Sequence, residues 1–186
     1  MSQPQRIRVL YDEASIAARN AEMAAAIAAD SGPDLLVVAV LKGSFMFVAD
    51  LIRAMHRAGM SPQVEFVHLS SYRAATVSSG QVEILRDVQS DVRGRQVLLV
   101  DDILESGRTL AFAKDLLAAR GAARVSTAVL LEKPGKRAVN IKPDHVGFEC
   151  PDYFVVGYGM DVAHSYRQLP YVGVIETADQ AGLPGI

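Results

Sequence analysis

The stretch VLLVDDILESGRTL, from Val97 to Leu110, decides the fold that this sequence predicts. Val97 to Val100 are apolar without alternation, which is typical of a parallel strand covered on both faces. Two carboxylates follow, Asp101 and Asp102, and then a Ser-Gly turn leads into a helix. Gly107 supplies the backbone freedom that a tight strand-to-helix turn needs. The stretch therefore predicts a strand, a turn and a helix of an α/β sheet.

The turn in this stretch is suited to a phosphate. The free amides and the dipole at a helix N-terminus attract anions, and Thr109 adds a hydroxyl donor beside them. Asp101 and Asp102 cannot themselves bind a phosphate, so they serve hydroxyl groups or a metal. A phosphate site beside acids that can hold a diol indicates a ribose 5-phosphate.

The same stretch resembles the phosphoribosyl diphosphate (PRPP) binding motif of type I phosphoribosyltransferases. Further segments occur in the order found in hypoxanthine-guanine phosphoribosyltransferases, and the resemblance covers most of the chain from about Leu35 onward. These segments are LKGSFMFVADL (Leu41–Leu51), Ser71-Tyr72, LLEKP (Leu130–Pro134), IKPDHVGFECPDYFVVGYGMD (Ile141–Asp161) and Arg167.

The alternation of strands and helices predicts an α/β fold with a mostly parallel central sheet flanked by helices. The resemblance implies the type I phosphoribosyltransferase fold, in which the chain termini form a small hood. We expect a single domain over residues 1–186, with a core at about 34–140 and the hood from the N-terminal segment and about 141–186. The predicted helices are Asp12–Ala29, Ser44–Ala58 and Thr109–Ala119, and the predicted strands include Leu35–Leu41, Val64–Leu69, Val82–Leu85 and Val125–Leu131.

Composition limits the classes of partner. The 186 residues fit one domain with a sizeable core, since half of them are hydrophobic. A net charge of −2 gives no general attraction to nucleic acid or to membrane surfaces. No apolar run approaches the ~18 residues of a membrane span, and the polar start MSQPQRIRVL lacks a signal-peptide core. These features predict a cytoplasmic protein that binds neither nucleic acid nor membrane.

Cysteine and histidine do not indicate a further site. The single cysteine, Cys150, cannot form an internal disulfide, and its apolar surroundings predict a buried structural thiol. The four histidines lack the spacing of zinc ligands.

The resemblance assigns the residues that bind PRPP. It implies that Asp101 and Asp102 hold the ribose hydroxyls, and through them Mg²⁺ indirectly, while the following loop wraps the 5-phosphate. That loop comprises Ser106, Gly107, Arg108 and Thr109. The pyrophosphate is assigned to Lys42, Gly43 and Arg167, and a second Mg²⁺ to Asp161. Lys42 follows a predicted strand, where ligands of α/β sheets collect, although a lysine there is also compatible with simple solvation.

Glu105 is the candidate catalytic base. Its counterpart in the family is usually Asp, proposed to take the proton from N7 of the purine as N9 bonds to the ribose. The extra methylene of Glu can move the carboxylate by about 1 Å, and such a misplacement can cost on the order of a hundredfold in rate. A solvated surface Glu is the alternative interpretation.

The resemblance also assigns the purine site. It implies that Lys142 donates to the purine O6, that Phe154 stacks on the base and that the backbone of Val155 bonds to the base edge. An ammonium can only donate, so it favours the O6 of hypoxanthine or guanine over the amino group of adenine. Core packing is the alternative for Phe154. The long polar loop Ser70–Gly80, with Ser71 and Tyr72, is predicted to be a lid.

Together these assignments predict purine salvage: Mg²⁺-dependent transfer of the phosphoribosyl group from PRPP to N9 of a 6-oxopurine, giving IMP or GMP and pyrophosphate. Two alternatives stay open. One is a PRPP-sensing regulator without catalysis, and the other is a phosphoribosyltransferase for a different base. Family members are dimers or tetramers, so we expect a homodimer or homotetramer.

Overall fold

A computed structural model describes residues 6–71 and 82–176 of the chain. Strands and helices alternate along these residues, as the sequence pattern predicts. In chain order they are β1 (Ile7–Tyr11), α1 (Glu13–Asp30), β2 (Leu36–Leu41), α2 (Phe45–Arg57), β3 (Gln63–Ser71), β4 (Val82–Arg86), β5 (Gln96–Leu104), α3 (Arg108–Ala119), β6 (Arg124–Glu132), a short 3₁₀ helix (Pro134–Lys136), β7 (His145–Glu149), β8 (Val155–Val156) and β9 (Val172–Ile175).

The central sheet has six strands in the order β4-β3-β2-β5-β6-β7. Every neighbouring pair is parallel except β3 and β4, which pair antiparallel at one edge. The predicted fold class, α/β with a mostly parallel sheet flanked by helices, is therefore confirmed.

Strand β5 is buried on both faces, which explains its unbroken apolar run. Leu98 and Val100 pack in one cluster with side chains of α1 and α2. Val97 and Leu99 pack on the opposite face with side chains of α3. Alternate residues of a strand point to opposite faces, so a strand between two helical layers needs apolar residues at every position. No helix within the described ranges is both long and apolar enough to cross a membrane.

The element boundaries lie close to the predicted ones, with local physical reasons for the differences. Asp12 caps α1 instead of starting it, because its Oδ1 accepts a hydrogen bond from the amide of Ser15 at 2.7 Å. Strand β3 continues to Ser71, two residues beyond the predicted end, because Ser71 pairs with Val82 of β4. Most of the predicted lid Ser70–Gly80, namely residues 72–80, lies outside the described residues.

A second, smaller sheet joins the two ends of the described chain. Its strand order is β1-β9-β8, and both pairs are antiparallel. We predicted that the hood begins at about residue 141, but β7 pairs with β6 in the central sheet. The C-terminal contribution to the small sheet therefore begins later, at β8.

The strand order places a crevice between β2 and β5. The chain passes from β2 to β3 on one side and reaches β5 on the other side, so the direction of winding reverses between β2 and β5. Ligands of open α/β sheets bind at such a switch point, outside the carboxyl ends of the strands. β2, β5 and β6 are adjacent and parallel, so the residues that follow them meet at one edge of the sheet.

Candidate active site

Two carboxylates lie near the carboxyl end of β5. Asp101 Oδ1 accepts a hydrogen bond from the amide of Asp102 at 3.0 Å, and Asp102 Oδ1 accepts one from the amide of Ile103 at 2.9 Å. Burial raises the pKa of Asp101 well above its usual range, and the neighbouring Asp102 carboxylate raises it further. Burial also raises the pKa of Asp102. Ionising both groups is therefore costly until hydrogen-bond donors reach them.

The loop after β2 closes directly over this pair. The Leu41–Lys42 peptide bond is cis, and Lys42 itself is exposed. An ideal Cβ on Gly43 would lie 1.6 Å from Asp102 Oδ2, so position 43 has no room for a side chain. The Gly43 carbonyl in turn lies only 2.2 Å from where a Cβ on Gly159 would be. Glycine at both positions lets the backbone segments and the carboxylate lie this close together.

The turn between β5 and α3 has the conformation that a phosphate site needs. Gly107 has a φ of +80° and directly precedes Arg108, the first residue of α3. Any side chain at 107 would also meet Ile141, whose Cγ2 lies 2.6 Å from an ideal Cβ. Ser106 Oγ lies 3.4 Å from the amide of Arg108, and Thr109 lies in the first helical turn. The first amides of a helix have no intrahelical acceptor, so they can receive an anion.

A cavity of about 580 Å³ opens beside these carboxylates. It collects residues from the loops after β2, β5 and β6 and from the segments around β8. The predicted site residues that line the cavity come from segments that lie far apart in the sequence. The lining residues are Gly43, Asp102, Ile103, Glu105, Lys133, Lys136, Asp152, Tyr153, Phe154, Val155, Met160, Asp161 and Arg167.

Glu105 faces this cavity between two ammonium groups. Its Oε1 lies 3.6 Å from Lys133 Nζ and 3.8 Å from Lys136 Nζ. The Lys133 side chain is only 8% exposed, so its charge is largely withdrawn from water. The carboxylate is therefore part of a charged cluster in the cavity, and the alternative of a solvated surface Glu does not describe it.

Lys142, the predicted purine ligand, does not line the cavity. It is exposed, on the connection that runs back from β6 toward the amino end of β7. Lys133 directly follows β6, whose carboxyl end lies beside that of β5, and this register brings its side chain to the cavity. The structure therefore brings Lys133, and not Lys142, to the cavity lining. The rule that ligands collect at carboxyl ends of strands could have selected Lys133.

Arg137, which no sequence pattern indicated, fixes the backbone at Glu105. Arg137 Nη1 donates to the carbonyl oxygens of Leu104 at 2.8 Å and of Glu105 at 2.7 Å. Its Nη2 donates to Glu132 Oε1 at 2.5 Å. One guanidinium thus links the ends of β5 and β6, a task to which its rigid fork of donors is suited.

Phe154 and Val155 occupy the cavity wall in different ways. Phe154 is 60% exposed and lines the cavity, so core packing does not account for it. An exposed aromatic face at a cavity is available for stacking on a planar ligand. Val155 is buried and is the first residue of β8, and its backbone lies beside Phe154.

Asp161 and Arg167, which also line the cavity, form an ion pair. Arg167 Nη2 lies 2.7 Å from Asp161 Oδ1, and its Nη1 donates to the carbonyl of Gly159 at 2.6 Å. Asp161 Oδ2 accepts from the amide of His164 at 2.8 Å. Of the predicted lid residues, Ser71 ends β3, and Tyr72 lies outside the described residues.

Comparison with known proteins identifies the family. The family model described as phosphoribosyl transferase domain matches residues 8–163. The chain belongs to the phosphoribosyltransferase family. Among phosphoribosyltransferases it is similar to the hypoxanthine phosphoribosyltransferase of Escherichia coli strain K12, with 42% identity over 177 residues, 94% of this chain and 98% of that protein. The hypoxanthine-guanine phosphoribosyltransferase of Streptococcus agalactiae is 41% identical over 91% of this chain and 93% of that protein.

Solved phosphoribosyltransferase structures share the fold. A hypoxanthine phosphoribosyltransferase of Trypanosoma cruzi superimposes with a TM-score of 0.88 at 36% identity and covers 95% of this chain and 94% of that chain. A hypoxanthine phosphoribosyltransferase of Staphylococcus aureus gives a TM-score of 0.85 at 38% identity, over 91% of both chains. The type I phosphoribosyltransferase fold and the resemblance inferred from the sequence are therefore confirmed.

Proposed function

We propose that this phosphoribosyltransferase transfers the 5-phosphoribosyl group of PRPP to N9 of hypoxanthine or guanine. The products are IMP or GMP and pyrophosphate, which is a purine salvage reaction. The single observation that carries this proposal is the composition of the cavity: a buried ammonium, Lys133, and a carboxylate, Glu105, face the same space as the exposed ring of Phe154. This combination suits a flat base with a carbonyl oxygen and an N–H.

Lys133 is proposed to select the base. An ammonium has three donors and no acceptor, so it pairs with the O6 of a 6-oxopurine. The amino group of adenine would leave the Lys133 donors unsatisfied in a position with 8% exposure. An unsatisfied buried charged group costs more than ~1–3 kcal/mol, which discriminates against adenine. Phe154 stacks on the ring, and the Val155 backbone bonds to its edge.

PRPP occupies the edge of the sheet beside the base. Asp101 and Asp102 accept hydrogen bonds from the ribose hydroxyls. The turn formed by Ser106, Gly107, Arg108 and Thr109 binds the 5-phosphate through its amides and hydroxyls. Lys42, Gly43 and Arg167 bind the pyrophosphate, for which the planar Arg fork is suited.

The donor set fits Mg²⁺ bound jointly with PRPP. Within the described residues no group of three or more His, Cys, Asp or Glu side chains forms a protein-only metal site. Mg²⁺ is usually held by one or two carboxylates together with substrate phosphates and water, and Asp161 lines the cavity where the pyrophosphate would lie. Asp161 would bind one ion directly, and Asp101 and Asp102 would act through the ribose hydroxyls. When bound, Mg²⁺ neutralises charge that develops on the leaving pyrophosphate.

The protein's own part in the reaction is to position the base and to hold a proton. As N9 forms its bond to the anomeric carbon, the bond from that carbon to pyrophosphate breaks and N7 loses its proton. Glu105 lines the cavity, which supports its proposed role as the acceptor of this proton. The predicted lid with Ser71 and Tyr72 would exclude water that hydrolyses PRPP, and Tyr72 lies outside the described residues.

The proposal is tested by incubating the protein with PRPP, Mg²⁺ and hypoxanthine or guanine and separating the products by chromatography. We expect IMP or GMP in amounts equal to the pyrophosphate released. Measurable PRPP binding without any nucleotide formed would contradict the proposal and favour a PRPP-sensing regulator. A homodimer or homotetramer in the cytoplasm stays our prediction, and sedimentation that shows only monomer would contradict the oligomeric part.

A further inference from the structure

Four side chains that line the cavity contact one another in a chain of alternating charge. Lys133 Nζ lies 3.6 Å from Glu105 Oε1, and Lys136 Nζ lies 3.8 Å from the same oxygen. The Lys136 ammonium also pairs with Asp152 Oδ1 at 2.8 Å. Lys136 therefore lies between the candidate base and a second carboxylate.

The two lysines contact Glu105 from different environments. Lys133 is 8% exposed, whereas Lys136 is 46% exposed and its partner Asp152 is 61% exposed. Lys133 is assigned to the purine O6, so its donors turn toward the base when the base binds. Lys136 then remains as the cation beside Glu105.

Glu105 has a longer side chain than Asp, which is the usual residue at this position in the family. A neighbouring cation is therefore needed to hold its carboxylate in place. Arg137 holds the carbonyl of Glu105 at 2.7 Å and so fixes the backbone, but it leaves the side-chain torsions of Glu105 free. Each additional rotatable bond adds conformational freedom that has to be lost before the carboxylate can face N7. A cation anchored on another segment restricts that freedom.

Asp152 supplies the anchor. It lies two residues before Phe154, on the segment that carries the proposed stacking ring, and Lys136 ends the short 3₁₀ helix that begins one residue after Lys133. The Lys136–Asp152 ion pair thus connects the segment after β6 to the segment that carries Phe154, and Glu105 lies beside this pair.

We propose that Lys136 is a positioning residue, which, held by Asp152, keeps the Glu105 carboxylate directed at the purine. This inference rests on the proposed function. The pair is exposed to solvent, so its contribution to folding is small, as for most surface ion pairs. Its effect should therefore be on turnover and not on stability.

The first test compares Lys136→Met, Lys136→Arg and the matched control Lys114→Met in the full-length protein. Lys114 lies 4.0 Å from Asp144, and like Lys136 it is a partly exposed lysine beside an aspartate, but it does not line the cavity. We expect Lys136→Met to lower kcat roughly tenfold, a fraction of the effect of a 1 Å misplacement, with KM for PRPP within about twofold. Lys136→Arg should restore most of kcat, and Lys114→Met should match the wild type.

The second test repeats Lys136→Met in a Glu105→Asp background. The shorter carboxylate withdraws from Lys136, so removing the ammonium there should change kcat by less than about twofold. An equal loss in both backgrounds would overturn the proposal, and so would an unchanged kcat in the first background. A wild-type protein that forms no nucleotide from either purine would instead overturn the proposed function, and the inference with it.

Discussion

The Asp102 carboxylate occupies the space that a side chain on Gly43 would need. An ideal Cβ at Gly43 would lie 1.6 Å from Asp102 Oδ2 and 2.6 Å from its Cγ. Asp102 and the loop after β2 are therefore in direct contact. In the proposed binding mode PRPP contacts both, so this contact would fix the relative position of its ribose and its pyrophosphate.

Gly43→Ala should disrupt the use of PRPP, because the new methyl group has to displace either the loop or the carboxylate. A displacement of about 1 Å at reacting groups can cost on the order of a hundredfold in kcat/KM. Steady-state kinetics with PRPP varied at saturating hypoxanthine measures this. Gly135→Ala is the control, because a Cβ there would meet no atom within 4 Å. Equal kinetics for both variants would contradict the assignment.

Lys133→Met should weaken the binding of hypoxanthine and guanine. The loss of a charge-assisted hydrogen bond corresponds to about 1.5–3 kcal/mol, or a rise in KM for the base of about tenfold to a hundredfold. KM for PRPP should change little. Lys142→Met is the matched control, since that lysine is exposed and lies away from the cavity lining. A selective loss of 6-oxopurine use in the Lys142 variant would show that Lys142, and not Lys133, donates to the purine O6.

Phe154→Ala should raise KM for the base without destabilising the fold. Stacking of a base on an aromatic ring contributes about 1–3 kcal/mol, while the ring is 60% exposed and buries little surface on folding. The melting temperature should stay within about 2 °C of wild type. Phe66→Ala, at another exposed phenylalanine outside the cavity lining, should leave KM unchanged. A fall in melting temperature as large as that of a core truncation would show that Phe154 contributes to the packing of the fold.

Asp101→Asn should stabilise the free protein at neutral pH while it impairs PRPP binding. The folded-state pKa of Asp101 is raised by burial above its value of 3.8 in the unfolded chain. At pH below both pKa values the proton is bound in both states and the group has no effect. As pH rises through the unfolded-state pKa, the unfolded chain ionises first, and the free energy of unfolding falls until the folded-state pKa is passed.

The asparagine stays neutral, so its advantage in melting temperature should be largest near pH 7 and should shrink toward pH 4. The asparagine side chain also keeps an oxygen that can accept a hydrogen bond from the amide of Asp102. Thermal unfolding from pH 4 to pH 8 without PRPP or Mg²⁺ measures this difference. A variant that melts below the wild type at pH 7 would show that the Asp101 carboxylate does not carry a burial penalty.

Glu105→Gln should remove turnover and leave PRPP binding intact. General base catalysis contributes about a hundredfold or more, and the amide keeps the size of the side chain but cannot accept the proton. Single-turnover formation of IMP and titration calorimetry with PRPP separate the two effects. An unchanged rate would remove Glu105 from the mechanism.

The sequence predicted the parts of the site that depend on local chemistry. The strand, the two carboxylates and the glycine turn of Val97–Leu110 follow from residues adjacent in the chain, and the φ of +80° at Gly107 is what such a turn needs. The two-sided burial of β5 was likewise visible in its unbroken apolar run.

The features of the site that the sequence did not indicate depend on strand register and on contacts between distant segments. β6 was predicted to end at Leu131 but continues through Glu132, so the residue that first passes the sheet edge is Lys133. Lys133 lies at a strand end and Lys142 does not, so the two lysines can be distinguished only if the end of β6 is predicted correctly. The Lys136–Asp152 ion pair joins the segment after β6 to the segment after β7. The parallel pairing of β6 and β7 brings these segments together, and no local sequence pattern indicates the pair.

The most direct test of the central claim is pyrophosphate release from PRPP and Mg²⁺ with hypoxanthine, guanine, xanthine or adenine supplied one at a time. We expect release with hypoxanthine or guanine and none above background with adenine, because the donors of Lys133 require an O6 acceptor. Equal release with adenine would contradict the base assignment. No release with any of the four bases would contradict the enzyme itself.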